Sequence, residues 1–407
     1  MTDDLMTQAE KDCAQVHDNV STIVERNQKR VLDAFINNHV SDTHFQSTTG
    51  YGYDDIGRET LEAVYAEIFG GEDALVRPQI VSGTHAISTT LFGLLRPGDE
   101  LLYITGKPYD TLESVIGTNG QAAGSLADFH IAYDQVDLMD NGSVDFPEIK
   151  RKLSENTGIV AIQRSKGYDD RPSFTINEIA EIVAYVKSIN TNVTVFVDNC
   201  YGEFVEEQEP LHANADIIAG SLIKNPGGGI VRAGGYIAGR GDLVQQCANR
   251  LTAPGLGKET GATLHTLQEM FQGLFMAPMI VGEALKGAIL TARFLELAGF
   301  HTSPDYQAER TDLIQSVTFH SSEQMIAFCQ AIQQNSPVNA FVTPYPAAMP
   351  GYDDEVIMAA GTFIQGASIE LTADGPIRQP YMAFIQGGLT YAHVKLALTA
   401  AVTTLDD

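Results

Sequence analysis

The sequence has 407 residues, and its 52 acidic side chains outnumber its 25 lysines and arginines, which gives a formal net charge of −27. This charge repels polyanions and argues against a protein that binds nucleic acid. Hydrophobic residues make up 44% and charged residues 19% of the chain, a composition that excludes general disorder and supplies a large core. The length predicts two to three domains, or one large α/β domain with a smaller appendage.

The N-terminal part has a helical pattern. Apolar residues recur at helical spacing between Ala9 and Val40 and predict one or two helices there. A polar segment with glycine and tyrosine follows, HFQSTTGYGYDDIGRE, and a further helix is predicted over 60–69, with Gly70 and Gly71 as its stop. We therefore expect residues 1–60 to form an N-terminal helical segment or arm.

Strand and helix signals alternate after this segment. Short runs rich in β-branched residues lack strict alternation with polar residues, as strands buried on both faces do, and helical segments over 85–95 and 175–188 lie between them. The pattern predicts an α/β domain over residues 61–300, with a mainly parallel sheet covered by helices on both faces. The candidate strands are 74–80, 100–104, 159–163, 193–197, 217–221 and 235–238.

The last part of the chain changes character. Two amphipathic segments, 259–275 and 280–298, are separated by Pro278, which we expect to break the helix. Residues 301–407 then predict a smaller α+β domain. Its strand-like segments are 316–320, 356–361 and 367–371, and its helical segments are 321–334 and a last helix that begins at Tyr391.

Three absences in the sequence bear on location. The longest apolar stretch, Met270 to Gly282, contains Pro278 and is too short to cross a bilayer. The acidic N-terminus lacks the basic flank and apolar run of a secretory signal. The four cysteines form no C-x-x-C pair and the histidines form no H-E-x-x-H pattern. We expect reduced thiols, no metal site, no membrane span and a cytoplasmic location.

The segments VTVFVDNCYGEF and IIAGSLIKNPGGG carry the strongest chemical signal. In the first, an apolar strand ends in Asp198; in the second, a short strand delivers Ser221 and Lys224 into a glycine-rich loop. Because ligands bind at the carboxyl ends of parallel strands, the acid and the lysine are expected at one rim of the sheet. A pyridoxal phosphate enzyme needs a lysine to bind the cofactor and a carboxylate to keep its pyridine nitrogen protonated. Ser221 is then available to bind the phosphate.

Other positions fit the same scheme. A predicted strand leads through Ser82, Gly83 and Thr84 into a helix, whose free N–H groups can bind an anion. The ring of Tyr109, which follows the next strand, could lie over the cofactor, and Arg378 could hold a substrate carboxylate in a bidentate manner. Each position also has an ordinary interpretation: an N-cap turn, a half-buried aromatic residue and a surface arginine.

In this order the motifs resemble the fold type I pyridoxal phosphate enzymes of the cystathionine lyase and methionine γ-lyase group. The resemblance is closer to one branch, called the methionine γ-lyase family or the aluminium resistance proteins, and it extends from about residue 30 to about residue 400. The segments that carry it are GYGYDDIGRETLE, VRPQIVSGTHAI, IQRSKGYDDRPS, VFVDNCYGEF and GSLIKNPGGGI.

The resemblance implies a role for each candidate. Lys224 becomes the Schiff-base lysine, Asp198 the partner of the pyridine nitrogen, and Tyr109 the stacking ring. Arg378 becomes the ligand of the substrate carboxylate. The implied phosphate ligands are Ser82, Gly83, Thr84 and Ser221, with Tyr51 or Tyr53 and Arg58 contributed by a neighbouring subunit. The resemblance further implies a homotetramer, a dimer of dimers with shared active sites.

Two departures from the better-known lyases concern the substrate. Those enzymes have a tyrosine directly after the lysine, whereas Asn225 and Pro226 follow it here. The segment with Arg164 and Tyr168 replaces an asparagine near the ring hydroxyl of the cofactor. Both differences suggest substrate contacts of another kind, so the identity of the amino acid is not carried over.

The leading hypothesis is a lyase that uses Lys224 as a base at Cα and eliminates a thiol from Cβ or Cγ of a sulfur-containing amino acid. An aminotransferase or a racemase on the same fold is the nearest alternative. A non-catalytic resistance or regulatory protein that binds metal through its acidic surface is less favoured, because no D-x-D-x-D loop is present. A Rossmann dehydrogenase is less favoured still, because the glycines of 227–235 lack the G-x-G-x-x-G context.

Overall fold

The structure is a computed structural model that describes residues 2–120, 123–349 and 352–406. One long helix, α1 (Thr2–Asn37), opens the chain, so the predicted N-terminal helices form a single element. Helix α2 (Ile56–Phe69) begins earlier than predicted because the Asp55 side chain accepts the backbone N–H of Arg58 and caps it. It ends at Gly70, whose φ of 79° favours glycine.

The large sheet has seven strands in the order β1-β7-β6-β5-β4-β2-β3. Strand β7 is antiparallel to both of its neighbours, and all other neighbouring pairs are parallel. The predicted mainly parallel sheet is therefore confirmed; the half-exposed strand β3 is an addition. The strands are β1 (Asp73–Arg77), β2 (Glu100–Tyr103), β3 (Ala132–Gln135), β4 (Thr157–Gln163), β5 (Thr194–Asp198), β6 (Ile217–Ser221) and β7 (Gly235–Gly239).

Helices cover both faces of this sheet, as the α/β prediction requires. Successive residues of β5 show the two faces, because Val195 and Val197 join one core cluster and Phe196 joins another. Helices α3 and α7 pack in the cluster of Phe196, and α2, α5 and α6 pack on the opposite face. Their bounds are α3 (Gly83–Leu94), α4 (Asp110–Ile116), α5 (Phe146–Lys152), α6 (Ile176–Ile189) and α7 (Gly241–Leu251).

Helix α8 (Leu267–Leu297) is continuous, and the predicted break at Pro278 is wrong. A proline inside a helix costs about 3 kcal/mol, but α8 is buried along most of its length and packs against α1. Gly282 permits this contact, since a Cβ there would lie 2.3 Å from Cγ2 of Val24. Helix α8 is long and apolar enough to cross a membrane, which the short stretch 270–282 did not predict. However, 72% of the most apolar segment of α8 is buried inside the protein.

A second sheet of five antiparallel strands follows, in the order β10-β11-β12-β9-β8. The predicted strand 367–371 is wrong. There the Glu370 carboxylate accepts the N–H groups of Phe363 and Ile364, and the N–H of Ile369 binds the carbonyl of Ile223. The elements are β8 (His301–Ser303), β9 (Gln315–Thr318), α9 (Ser322–Gln334), β10 (Val356–Ala359), β11 (Thr372–Pro376), β12 (Met382–Gln386) and α10 (Tyr391–Asp406).

Candidate active site

A cavity of about 250 Å³ lies where the carboxyl ends of β4, β5 and β6 meet the second sheet. Gln163 ends β4, Asp198 ends β5, and Gln386 ends β12; all three line this cavity. The large sheet therefore supplies one wall and the second sheet supplies part of the other. The cavity also brings together most of the residues predicted from the sequence: Ser82, Gly83, Thr84, Tyr109, Tyr168, Asp198, Ser221 and Lys224.

The Lys224 side chain is available for chemistry. Its Nζ lies 4.1 Å from the centre of the Tyr201 ring, and in the described part of the chain it forms neither a hydrogen bond nor an ion pair. Tyr201 has a left-handed φ of 69°, which is uncommon for a bulky residue, and its hydroxyl donates to the carbonyl of Ala367 at 2.8 Å. The second sheet's loop thus fixes the ring on which the amine rests.

Asp198 lines the same cavity as Lys224 and is almost completely buried. Its Oδ1 accepts the backbone N–H of Cys200 at 3.1 Å. Burial raises the pKa of Asp198, whereas the positive charge of Lys224 lowers it. A buried carboxylate in this position is suited to bind a protonated ring nitrogen, which would supply the compensating charge that burial demands.

The same cavity also contains the donors of an anion site. Ser82 caps α3 by accepting the N–H of His85 at 3.0 Å, and α3 begins at Gly83. A Cβ at Gly83 would lie 3.3 Å from both Sγ of Cys200 and Cβ of Ser221, so a side chain there would fill the space between them. The Ser221 hydroxyl is buried and has no hydrogen-bond partner within the described residues. A helix N-terminus and an unpartnered hydroxyl together fit a phosphate group.

Aromatic rings line the cavity next to these groups. Tyr109 precedes α4, and its hydroxyl lies 2.6 Å from the hydroxyl of Tyr352. The Tyr168 ring lies 5.8 Å from that of Tyr109, and its hydroxyl donates to Asp374 on β11. Sequence reasoning missed Tyr352 and Asp374, because nothing local in either segment marks a ligand. It could have found Cys200, Tyr201 and Gln163, which follow Asp198 or end a strand at the same rim.

Two predicted substrate ligands lie outside this cavity. Arg378 lines a neighbouring cavity of about 140 Å³ and is paired with Asp354 at 3.1 Å. Its Nη2 also donates to the carbonyl of Tyr168 at 3.4 Å, so it reaches the back of the wall that Tyr168 forms. Arg164 does not line this cavity; it is fully buried, and its partners are Asn199, Glu206, Glu209 and Thr311.

The predicted inter-subunit segment is split between two environments. Tyr51 and Tyr53 are 73% and 50% exposed, and their rings stack with centres 5.4 Å apart. Arg58 is buried, and its guanidinium donates to the backbone carbonyls of Gly52 and Gly261 in its own chain. The two tyrosines therefore face outward, whereas Arg58 holds two loops of one subunit together.

The described residues contain no group of three or more His, Cys, Asp or Glu side chains that could hold a metal ion.

A family model described as methionine gamma-lyase matches residues 2–406. The chain belongs to the methionine gamma-lyase family. Relatives at high identity match this chain over almost its whole length. YnbB of Bacillus subtilis is 62% identical over 98% of this chain and 95% of its own length.

Two crystal structures come from relatives that are linked by name to aluminium resistance. The Listeria monocytogenes protein is 60% identical, covers 99% of each chain and has a TM-score of 0.97. A Clostridium novyi protein, named a carbon-sulfur lyase involved in aluminium resistance, is 48% identical, covers 99% of this chain and 96% of its own, and has a TM-score of 0.95. Structures at 17% identity, with TM-scores of 0.59 to 0.61, share the fold and include a pyridoxal phosphate-dependent protein. The predicted fold type I architecture and family are confirmed.

Proposed function

We propose that this member of the methionine gamma-lyase family is a pyridoxal phosphate-dependent carbon-sulfur lyase that acts on a sulfur-containing amino acid. The observation that carries the proposal is the convergence of an unpaired Lys224 amine, the buried Asp198 carboxylate and the unpartnered Ser221 hydroxyl in one cavity. When bound, the cofactor supplies an aldehyde for covalent attachment and a ring that withdraws electrons from the substrate.

Different residues of the cavity would bind different parts of the cofactor. The Ser221 hydroxyl and the backbone of Ser82, Gly83 and Thr84 would hold the phosphate at the start of α3. Asp198 would keep the ring nitrogen protonated, because it is buried and a charge-assisted bond there is strong. The Tyr109 ring, which lines the same cavity, would limit how the cofactor ring can move.

Lys224 would move the protons of the reaction. Its amine is free of competing partners in the described residues, and the face of the Tyr201 ring at 4.1 Å stabilises it when it carries a proton. A base that can both accept a proton at Nζ and hold it as a cation is suited to remove the Cα proton of an amino acid. The same proton can then return to the product or to the leaving thiol.

The visible spectrum and a product screen test this proposal. Purified protein given pyridoxal phosphate should develop the absorption band of the lysine-bound cofactor and release a keto acid and a thiol from cysteine, cystathionine, homocysteine or methionine. The Lys224→Ala variant should lose both signals, whereas Lys152→Ala, a matched change on α5 away from the cavity, should retain them. The wild-type protein could instead show the cofactor band and catalyse transamination or racemisation without releasing a thiol. That result would contradict the lyase activity and assign one of the other activities of this fold.

Two further parts of the proposal concern assembly and location. We propose that Tyr51 and Tyr53, which are exposed and stacked, complete the site of a second copy in a dimer of dimers. Gel filtration with light scattering gives the subunit number, and a monomer would contradict the shared site.

The proposed location is the cytoplasm. All four cysteines are buried and free of disulfides, which suits a reducing compartment of this kind.

A further inference from the structure

Buried positive charges without a counter-charge gather at one place outside the Lys224 cavity. Six lysine and arginine side chains are buried in the described part of the chain: Arg58, Arg77, Arg164, Lys166, Arg171 and Arg310. The first three lie within 3.9, 2.7 and 3.1 Å of glutamate oxygens. The last three form no ion pair with any described residue, and all of them line one cavity of about 450 Å³. Because a buried charge normally has a charged partner, these three cations need an explanation.

Two of the three cations contact only neutral groups. Nζ of Lys166 donates to the carbonyl and the hydroxyl of Ser303, at 3.1 and 3.2 Å, and to the hydroxyl of Ser316 at 3.1 Å. The Arg171 guanidinium donates to three backbone carbonyls, two of which belong to residues that line the Lys224 cavity. These contacts fix the side chains but leave both charges uncompensated.

Arg310 has the fewest partners of the three. Its Nη2 donates to Oε1 of Gln315 at 2.6 Å, whereas Nε and Nη1 are buried and have no hydrogen-bond partner within the described residues. Burial lowers the pKa of Arg310 to about 10 and that of Arg171 to about 10, so both side chains still carry a charge at pH 7. Charged donors without partners match the acceptor oxygens of a phosphate or a carboxylate.

Carboxylates line the same cavity, but they do not balance its buried charge. Asp312 is buried, and its oxygens accept the N–H groups of Lys166 and Ile314, at 3.1 and 3.0 Å, and the hydroxyl of Ser173. One buried carboxylate therefore accompanies three buried cations. The other carboxylates are exposed, so water and salt screen them more strongly: Asp140, Asp170 and Glu309. The buried part keeps a positive excess that a small anion can neutralise.

Arg310 decides which of the neighbouring cavities would hold the anion. Lys166 and Arg171 also line a cavity of about 300 Å³ that Tyr109 lines as well. Arg310 also lines a groove of about 550 Å³ together with Glu206, a residue that would repel an anion. The cavity of about 450 Å³, unlike these two, is lined by all three cations.

We propose that the cavity lined by Lys166, Arg171 and Arg310 is a second ligand site, which binds the phosphate or carboxylate group of a small molecule. The site is distinct from the candidate active site, because none of these three residues lines the Lys224 cavity. The two sites share a segment of the chain, since Ser165 and Gly167 line the Lys224 cavity and Lys166 between them lines the second one. A bound anion would therefore contact a segment that also forms part of the candidate active site.

The experiment measures binding of inorganic phosphate and of malonate, at constant ionic strength, by isothermal titration calorimetry. The protein is first loaded with pyridoxal phosphate and freed of excess cofactor, because inorganic phosphate could otherwise occupy the proposed phosphate site at α3. The variants are Lys166→Met and Arg310→Met, which remove a charge but keep an unbranched side chain. Lys150→Met is the matched control, since it removes a positive charge from an exposed position on α5.

We expect wild type and Lys150→Met to bind at least one of the two anions with the same saturable affinity. Lys166→Met and Arg310→Met should bind that anion about tenfold or more weakly, because each has lost a charged group at the site. Binding of phosphate alone would identify a phosphoryl group as the ligand chemistry, and binding of malonate alone would identify a carboxylate. A crystal structure at a saturating concentration of the anion needs no variant and should show it against Arg310, so the test survives if a variant fails to fold.

Two results would overturn the inference and leave the proposed function intact. One is the absence of saturable binding of both anions by the wild-type protein. The other is binding that is equal in all four proteins, which is the form that a general effect of salt would take. If the protein takes up no cofactor, it is the proposed function that fails. The comparison of the variants still decides on the second site, because neither Lys166 nor Arg310 lines the Lys224 cavity.

Discussion

The Nζ atom of Lys224 lies 4.1 Å from the centre of the Tyr201 ring, so the amine rests on an aromatic face and not on a carboxylate. A cation above an aromatic ring gains about 0.5–2 kcal/mol, and the ring remains in place when the amine gains or loses its charge. An acid in the same place would hold the lysine in a fixed ion pair. The arrangement therefore leaves Lys224 free to change partners.

Two replacements of Tyr201 distinguish the contribution of its aromatic ring from that of its hydroxyl. We expect Tyr201→Phe to retain most of the thiol-release activity, because the aromatic face remains, and Tyr201→Leu to lose about tenfold in kcat, which corresponds to about 1.4 kcal/mol. Steady-state kinetics with equal cofactor loading checks this. Equal losses in both variants would assign the effect to the hydrogen bond with the Ala367 carbonyl and not to the ring.

Replacement of Ser221 tests the phosphate site. Its hydroxyl is buried without a partner, so Ser221→Ala should leave the melting temperature of the cofactor-free protein unchanged or slightly raised. Loss of a hydrogen bond to a charged group should weaken cofactor binding by about 1.5–3 kcal/mol, which is about 10- to 160-fold. Calorimetric titration with pyridoxal phosphate measures this loss; an unchanged affinity would place the phosphate elsewhere.

Replacement of Asp198 tests the charge beside the ring. Asp198→Asn should still bind cofactor, but exchange of the substrate α-proton should slow by orders of magnitude. The reason is that a buried charge-assisted hydrogen bond lowers the barrier of such a step by about 3 kcal/mol or more. Deuterium exchange followed by NMR reports the rate. Exchange as fast as in wild type would exclude the proposed role of this carboxylate.

Glu203 should make stability depend on pH. Burial raises the pKa of its carboxyl to about 8, while the Tyr236 hydroxyl bonds Oε1, and Oε2 has no partner in the described residues. The folded protein thus holds a proton that the unfolded chain releases near 4.5, so the free energy of unfolding falls as pH rises from about 4.5 to about 8. We expect Glu203→Gln to flatten this fall in melting temperature, and the exposed control Glu155→Gln to leave it unchanged. An equally steep fall in Glu203→Gln would show that this carboxyl is ionised in the folded state.

Mixed oligomers test the shared site. Subunits with Lys224→Ala and subunits with both Tyr51→Ala and Tyr53→Ala should each have little activity, and exchange between them should restore part of it in hybrids that combine an intact lysine with intact tyrosines. Arg58→Ala should instead lower the melting temperature, because that guanidinium holds Gly52 and Gly261 in its own chain. Verified subunit exchange without recovery of activity would count against a shared site.

The large sheet and the Lys224 cavity could be predicted because both follow from local rules. Asp198 is the last residue of the buried strand β5 and Lys224 lies three residues after its neighbour β6, and parallel strands bring their carboxyl ends together. Only the sequence pattern around each strand was needed.

The features that could not be predicted depend on contacts between distant segments. Pro278 continues a helix because α1 packs along it, and the segment 367–371 leaves the sheet because Glu370 and Ile223 bind its backbone. The sequence also does not show that Arg164 pairs with buried glutamates or that Tyr352 reaches Tyr109 across the domains. Such partners are set by tertiary packing.

The site of covalent attachment tests the central claim most directly. Wild-type protein loaded with pyridoxal phosphate is treated with borohydride, digested and analysed by mass spectrometry, which locates the lysine that carries the reduced cofactor. We expect the label on Lys224 alone, at close to one per subunit, and no label in Lys224→Ala. A label on any other lysine, or a loaded protein from which borohydride fixes no cofactor, would contradict the assignment of this cavity as a pyridoxal phosphate site.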